Sequence, residues 1–236
     1  MREYVRMLEN EVFILEGMKY TYSINVIWRF IMNKKITAVL VLLFCVSFFG
    51  KVFADSEGVQ MIPMGDVDRR LVETIANITD KVMGIPVDVG RGVSMPSVSY
   101  DFNSEKVSGN MAMNALEGYD EGRRVFKVTY ERMFAILNKP LMGPEPVFGN
   151  INRSQKRLIM SLTPLREQYY GRKPNKQLFK QRAFKMAVHE LGESYGLKEC
   201  DHKRCIMGPV KSIEDLDEMI LELCPKCKRE FKKLRK

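Results

Sequence analysis

The chain closes on four cysteines in two tight pairs, Cys200 with Cys205 and Cys224 with Cys227, and no other feature restricts its C-terminal fold so strongly. Thiolates spaced this way suit a tetrahedral structural zinc, whose binding energy is folding energy for a short segment with little core of its own. The competing reading is disulfide bonding, for which four cysteines allow three connectivities. Compartment bears on the choice, because disulfides persist in oxidising surroundings.

The other end of the chain speaks to compartment. From Met32 it reads MNKKITAVLVLLFCVSFFGKVFADSEG: two lysines, an apolar run over 36–49, then Val52-Phe53-Ala54 before Asp55. These are the basic, apolar and small-residue parts of a secretory signal peptide cleaved after Ala54. The apolar run is shorter than the roughly 20 residues a membrane-spanning helix needs, so the expected product is exported, periplasmic or secreted, with no stable membrane span after cleavage. Residues 1–31 then read as an over-extended start, 32–54 as the signal peptide and 55–236 as the working domain. Were Met1 the true start, its charged leader would favour a membrane anchor through an uncleaved 36–49 segment. Cys45 follows the bulky Phe44, which argues against lipid attachment, and it would leave with the signal peptide.

With 45 % apolar side chains the chain can bury one sizeable core. Its formal charge of +9 suggests an acidic partner. Much of that excess, however, sits in Lys34 and Lys35 and in Lys226, Lys228, Arg229, Lys232, Lys233, Arg235 and Lys236. End clusters of this kind are usually solvated.

Short apolar runs bounded by turn residues predict strands over 59–64, 85–89, 125–130, 145–150 and 157–162. Helical spacing through Val67, Leu71, Ile75, Ile78 and Val82 predicts a helix capped by Asp66 and stopped by Gly84. A second helix over about 104–119 would turn Val107, Met111 and Leu116 inward, and a third, over 176–195, runs through Leu178, Phe184, Ala187 and Leu191. Alternating strands and helices that give way to a helix and a cysteine-rich end make the class α+β.

The third helix carries the chemistry, ending in HELGESYGLKECDHKRCIMG. In a helical His-Glu-x-x-His, two imidazoles one turn apart reach one zinc, with the Glu beside them as general base. Here His189 and Glu190 keep the first half, Glu193 stands where the second His would be, and Gly196 lets the chain turn so that Glu199 can come back toward the metal.

These residues resemble the archaemetzincins, metzincin-type zinc metallopeptidases. That pattern places a Cys directly after the third ligand, a second Cys, a Met and a distal Cys-x-x-Cys, and here Cys200, Cys205, Met207, Cys224 and Cys227 stand in those places. Upstream the likeness extends through Met61-Ile62-Pro63-Met64-Gly65, Ser99-Tyr100-Asp101, Val147-Phe148-Gly149, Ser161-Leu162, Tyr169-Tyr170-Gly171 and Lys185-Met186-Ala187-Val188, so it covers about residues 59 to 230. The resemblance implies a zincin-like fold: a twisted mixed sheet with two main helices, an edge strand over 145–150 that pairs with extended substrate, and a C-terminal segment held by a four-cysteine zinc. It implies Met207 as the Met-turn, Glu190 as the base and a peptide or protein substrate; no nucleic-acid partner is expected. A monomer is expected.

The chain departs from the family at two of the three catalytic ligands. It contains two histidines, His189 and His202, which excludes a three-His site within one chain. Carboxylate oxygens also bind zinc, and one-His, two-carboxylate sets suit Mn²⁺ or Fe²⁺. His189, Glu193 and Glu199 are therefore the candidate ligands for zinc or another divalent metal. Two anionic ligands neutralise a dication and acidify its bound water less than imidazoles do, which implies slower hydrolysis near neutral pH. The rival readings are a non-catalytic peptide-binding protein that keeps the cleft and the cysteine zinc, and a nucleic-acid-binding zinc module, against which the export signal argues.

Overall fold

The run Val59–Met64, with all six residues buried, forms strand β1, second from one edge of a five-stranded sheet. The computed structural model describes residues 58–124, 130–144, 146–202 and 204–235. The expected signal peptide, and all of the strand expected at 125–130 except Tyr130, lie outside them. Sheet order is β2 (Val87–Val89), β1, β5 (Arg132–Leu137), β7 (Arg157–Ser161) and β6 (Gly149–Asn152). All neighbours are parallel except β6, an antiparallel edge strand. Pro63 is tolerated inside β1 because β2 ends opposite Met61, so the missing N–H falls beyond its last partner.

Alternation along the strands divides two cores. Val59, Met61, Phe134, Ile136, Leu158 and Met160 face the larger one, which helices α1 (Arg69–Met83) and α3 (Lys176–Ser194) cover. Ile62, Met64, Met133, Ala135, Leu137 and Ile159 face the smaller one, covered by α2 (Gly109–Arg124). The mixed α+β, zincin-like class expected from the sequence holds, with two helices on one face of the sheet and a third on the other.

Several boundaries differ from the expectations for local reasons. The α1 cap is Asp68, which accepts from the Arg70 N–H at 2.9 Å, while Asp66 sits exposed in the turn that Gly65 opens at φ +70°. Gly84 ends the helix in the left-handed region, as its position suggested. Helix α2 starts later than expected because Tyr100–Asp101 (β3) pairs with Lys106–Val107 (β4) across a turn. In that turn the Asp101 carboxylate accepts from the Asn103 N–H and the Ser104 hydroxyl. Val107 is therefore a strand residue, and Met111 is 50 % exposed.

The C-terminal segment adds α4 (Ile213–Glu218), opened by a Ser212/Asp215 capping box, and α5 (Pro225–Leu234), opened by Cys224 as its cap. It has more core than its sequence suggested: Ile206, Met207, Ile213, Leu216, Met219, Leu223 and Phe231 all join the larger cluster. Arg182 of α3, 1 % exposed, ties this segment to the active helix by bonding both Asp217 oxygens and Glu167 Oε1. Lys185 donates to the Leu216 and Asp217 carbonyls at 3.0 and 2.9 Å, meeting backbone acceptors that α4 leaves unpaired.

Candidate active site and cysteine cluster

Helix α3 begins at Asn175, whose side chain accepts from the Leu178 N–H at 3.0 Å, and runs uninterrupted to Ser194. It carries His189 and Glu190 into the larger core, where they are 6 % and 7 % exposed. His189 Nδ1 lies 2.8 Å from the Ile206 carbonyl, which can only accept, so Nδ1 carries the proton. In the neutral ring Nε2 then keeps its lone pair, the tautomer a metal ligand needs. It lies 3.8 Å from Glu193 Oε1, one helical turn on.

The Glu190 carboxyl packs against the β6 backbone at Gly149, where any β-carbon would collide with it. That glycine lets the edge strand approach the acid closely. Burial, and then the neighbouring Glu193 charge, push the Glu190 carboxyl from its ordinary value near 4.5 up to about 8. A carboxyl so placed can hold or release a proton near neutral pH, as a general acid–base group must.

This shift sets a pH test. The folded chain keeps a proton on Glu190 between about pH 4.5 and 8 that the unfolded chain has released, so the protein with its cysteine cluster loaded and no metal at His189 is expected to lose stability as pH rises through that window. At about 1.4 kcal/mol per unit, the loss is on the order of 5 kcal/mol at its fullest. Glu190→Gln, an isostere of the protonated form, should flatten the profile. Urea midpoints at pH 5 and pH 8 for both chains check it, and equal slopes would refute the assignment.

Met207 is fully buried beneath α3, its sulfur against Gly192, where a side chain would strike it. Its carbonyl accepts from the Cys200 N–H at 2.7 Å, joining the Met207 turn to the first cysteine. Gly196, at φ +99°, turns the chain as expected, its N–H donating to the Glu193 carbonyl at 2.9 Å. Glu199 beyond it is exposed. Among the described residues only the four cysteines form a group of three or more closely spaced metal-ligating side chains. The structure therefore brings His189 and Glu193 together and leaves Glu199 outside. Arg153, which the sequence reading passed over, follows β6 and donates from Nε to the Glu193 carbonyl at 3.0 Å, placing a cation at that end of the helix. Nothing in its local pattern distinguished it from other loop arginines.

Cys200, Cys205, Cys224 and Cys227 converge although 27 positions separate the first from the last, with all four sulfurs within 4.8 Å of one another. The Cys200–Cys224 and Cys205–Cys227 separations are 3.7 and 3.8 Å. A disulfide needs about 2.05 Å, whereas four sulfurs about 2.3 Å from one zinc lie roughly 3.8 Å apart along a tetrahedral edge. The donor set and spacing fit zinc. Burial raises the Cys205 and Cys227 thiols. Burial also acts to raise Cys224, but the Cys227 N–H and the neighbouring thiols outweigh it and bring Cys224 down to about 6. His202 stays exposed beside the cluster, its backbone N–H on Cys200 Sγ at 3.5 Å.

The comparisons with known proteins give this geometry its family. Residues 122–233 match the model of peptidase family M54. The archaemetzincin of Methanocaldococcus jannaschii is 30 % identical over 165 residues, covering 70 % of this chain and 87 % of that protein. This chain belongs to the archaemetzincin family. The Thermococcus kodakarensis archaemetzincin is 27 % identical over 72 % of this chain and 93 % of its own length. Among solved structures, a zinc-dependent peptidase from Methanocorpusculum labreanum superposes with a TM-score of 0.65 at 19 % identity, covering 74 % of this chain and all of that one. The Methanopyrus kandleri archaemetzincin follows at 0.60 and 20 %, over 76 % and 96 %. At such identities these structures speak for the fold, which in this chain gathers Cys200, Cys205, Cys224 and Cys227 beyond the end of the helix that holds His189.

Proposed function

We propose that this chain is an exported archaemetzincin that hydrolyses peptide bonds at a reduced rate, with Glu190 as general base. One observation carries the reading: a buried carboxyl, Glu190, poised near neutral pH beside a free His189 Nε2 and directly beneath the edge strand β6. His189 Nε2 and the Glu193 carboxylate would hold a divalent metal, with Glu199 as the third ligand after a rotation of its exposed side chain. Such a metal supplies Lewis-acid polarisation of the scissile carbonyl and a water of lowered pKa. The remaining work belongs to the protein. The free edge of β6 pairs with an extended peptide through main-chain hydrogen bonds, and Glu190 takes the proton of the attacking water and passes it to the leaving amine. Cys200, Cys205, Cys224 and Cys227 hold a structural zinc that fixes Met207 under the helix.

The exposure of Glu199 favours a second reading, a peptide-binding protein that has lost hydrolysis. Digestion of an unstructured peptide, followed by mass spectrometry with zinc and manganese supplied separately, separates the two. The peptidase reading expects slow, metal-dependent cleavage that Glu190→Gln lowers by about 10²- to 10⁴-fold; binding without cleavage under every metal condition supports the second.

Export rests on the three-part segment ending at Ala54. The N-terminus of exported material is expected at or near Asp55, by mass spectrometry. Exported chains that begin at Met1 or Met32 would refute it. Among the described residues no helix is long and apolar enough to cross a membrane.

A further inference from the structure

The end of α1 and one face of α5 enclose a groove of about 900 Å³. Its floor is apolar: Val82 and Met83 from α1, Leu223 from the approach to α5 and Phe231 from α5 itself. Its rim is basic. Lys228 and Lys232 of α5 and Arg235 at its C-cap recur at intervals of four and three, which aligns them on one side of the helix, and Lys81 faces them from the last turn of α1.

The carboxylate in this lining, Glu131, is already satisfied. Arg235 donates to Oε1 from Nη2 at 2.9 Å and from Nε at 3.2 Å, and the Tyr195 hydroxyl donates to Oε2. Lys228 meets Glu222 at 2.8 Å, but both side chains are about half exposed, and a surface pair of that kind holds little free energy. Lys81 and Lys232 have no carboxylate partner among the described residues. Lys81 and Lys232 thus leave two uncompensated positive charges over an apolar floor, while Arg235 is paired with Glu131. Lys81 gains something from the α1 C-terminal dipole, but that effect gives no reason for Lys232, which faces it unpaired from α5.

Nucleic acid offers a poor match, because Phe231, the aromatic ring of the floor, is buried against Tyr195 and leaves no open face on which a base could stack. An amphiphile with an anionic head has both parts. A cluster of four to eight Lys and Arg on such a helix is the pattern that recognises anionic lipid, at about one kilocalorie per mole, or fivefold, for each residue near the surface.

We propose that the groove between the end of α1 and α5 binds the headgroup and first acyl carbons of an anionic phospholipid, and so holds the chain at a negatively charged bilayer surface. The site is independent of the peptidase reading. The four-cysteine cluster serves it directly, because Cys224 and Cys227 form the first turn of α5 and fix that helix over the groove. Phe231 packs edge-on to Tyr195, the residue that ends the active-site helix, with ring centroids 5.1 Å apart. Bound lipid would thus lie one side chain away from α3.

The test is co-sedimentation of the purified, zinc-loaded chain with phosphatidylcholine vesicles, with and without 30 mol % phosphatidylglycerol. Binding is expected to the anionic vesicles alone, and it should weaken steeply between 0.1 and 0.5 M NaCl as screening shortens the reach of each charge. Lys81→Gln with Lys232→Gln should lower affinity roughly thirty-fold. Lys226→Gln with Arg229→Gln removes the same charge from other faces of α5 and should cost several-fold less. Near-UV circular dichroism confirms that each variant is folded. Equal losses for the two double variants would place the effect in a diffuse basic tail and overturn the groove. Equal binding to both vesicle types, or tighter binding to a short DNA duplex than to the anionic vesicles at 0.15 M NaCl, would overturn the lipid.

Discussion

Removing the metal from the four-cysteine cluster, or replacing Cys205 by Ser, is expected to unfold the chain from about Leu197 onward. Structural zinc contributes on the order of 10–16 kcal/mol of apparent binding energy in small zinc domains, as much as or more than the whole stability of an ordinary domain, about 5–15 kcal/mol. Here the loss would not stay local. Ile206, Met207, Ile213, Leu216, Met219, Leu223 and Phe231 belong to the same core cluster as Ala187, Val188 and Leu191 of α3, so release of the cluster strips one side of the active helix. His189 would also lose the Ile206 carbonyl that fixes its tautomer. Thermal unfolding with and without a chelator reads the effect, and a thiol count in denaturant after metal removal identifies its cause. Four reactive thiols are expected. None would mean two disulfides, and a cross-link of a different kind in the same segment.

Replacing Glu193 and Glu199 together by His is expected to raise zinc affinity and peptide hydrolysis at least tenfold each. Imidazoles are neutral, so the metal keeps more of its positive charge, and both the carbonyl and the water it holds are more strongly polarised. Position 193 needs no rearrangement, because it already faces His189 Nε2 at one helical turn. Position 199 depends on the turn at Gly196, whose φ of +99° a non-glycine residue would resist. Glu193→His alone should therefore capture part of the gain, and the double variant the rest. Adding Glu190→Gln should remove the gain in hydrolysis while keeping that in affinity, because the water then has no base. A double variant that binds zinc tightly yet cleaves nothing would show that the cleft has lost more than its ligands.

The site was more legible than the sheet behind it. His189, Glu190, Gly196, Met207 and the cysteine pairs stand at fixed spacings that their chemistry requires, so a single sequence displays them. Their convergence in space, with Cys200 beside Cys224 and Cys205 beside Cys227, had to come from the fold. Strand β5 went unread because Met133, Ala135 and Leu137 are good helix formers. A central parallel strand, buried on both faces, shows no alternation to correct that impression. The late start of α2 follows from the Asp101 turn, whose side-chain hydrogen bonds compete with the helix that apolar spacing suggested. The core of the C-terminal segment was underestimated because its apolar residues are scattered between charges, and only packing on α3 gathers them. Glu199 marks a limit of another kind: spacing after Gly196 says where its backbone goes, and side-chain exposure is decided afterwards.

The central claim is that the chain keeps the archaemetzincin cysteine site intact and a second, weaker metal site built on one histidine. Metal content per chain tests it most directly, measured by mass spectrometry on wild type and His189→Ala after titration with zinc and manganese and dialysis against buffers of graded chelating strength. The account predicts one zinc per chain that survives dialysis in both proteins, and a second divalent ion, readily removed, in wild type alone. A single retained metal in both, with no second ion at any concentration, would contradict the claim and leave a zinc-stabilised peptide-binding protein.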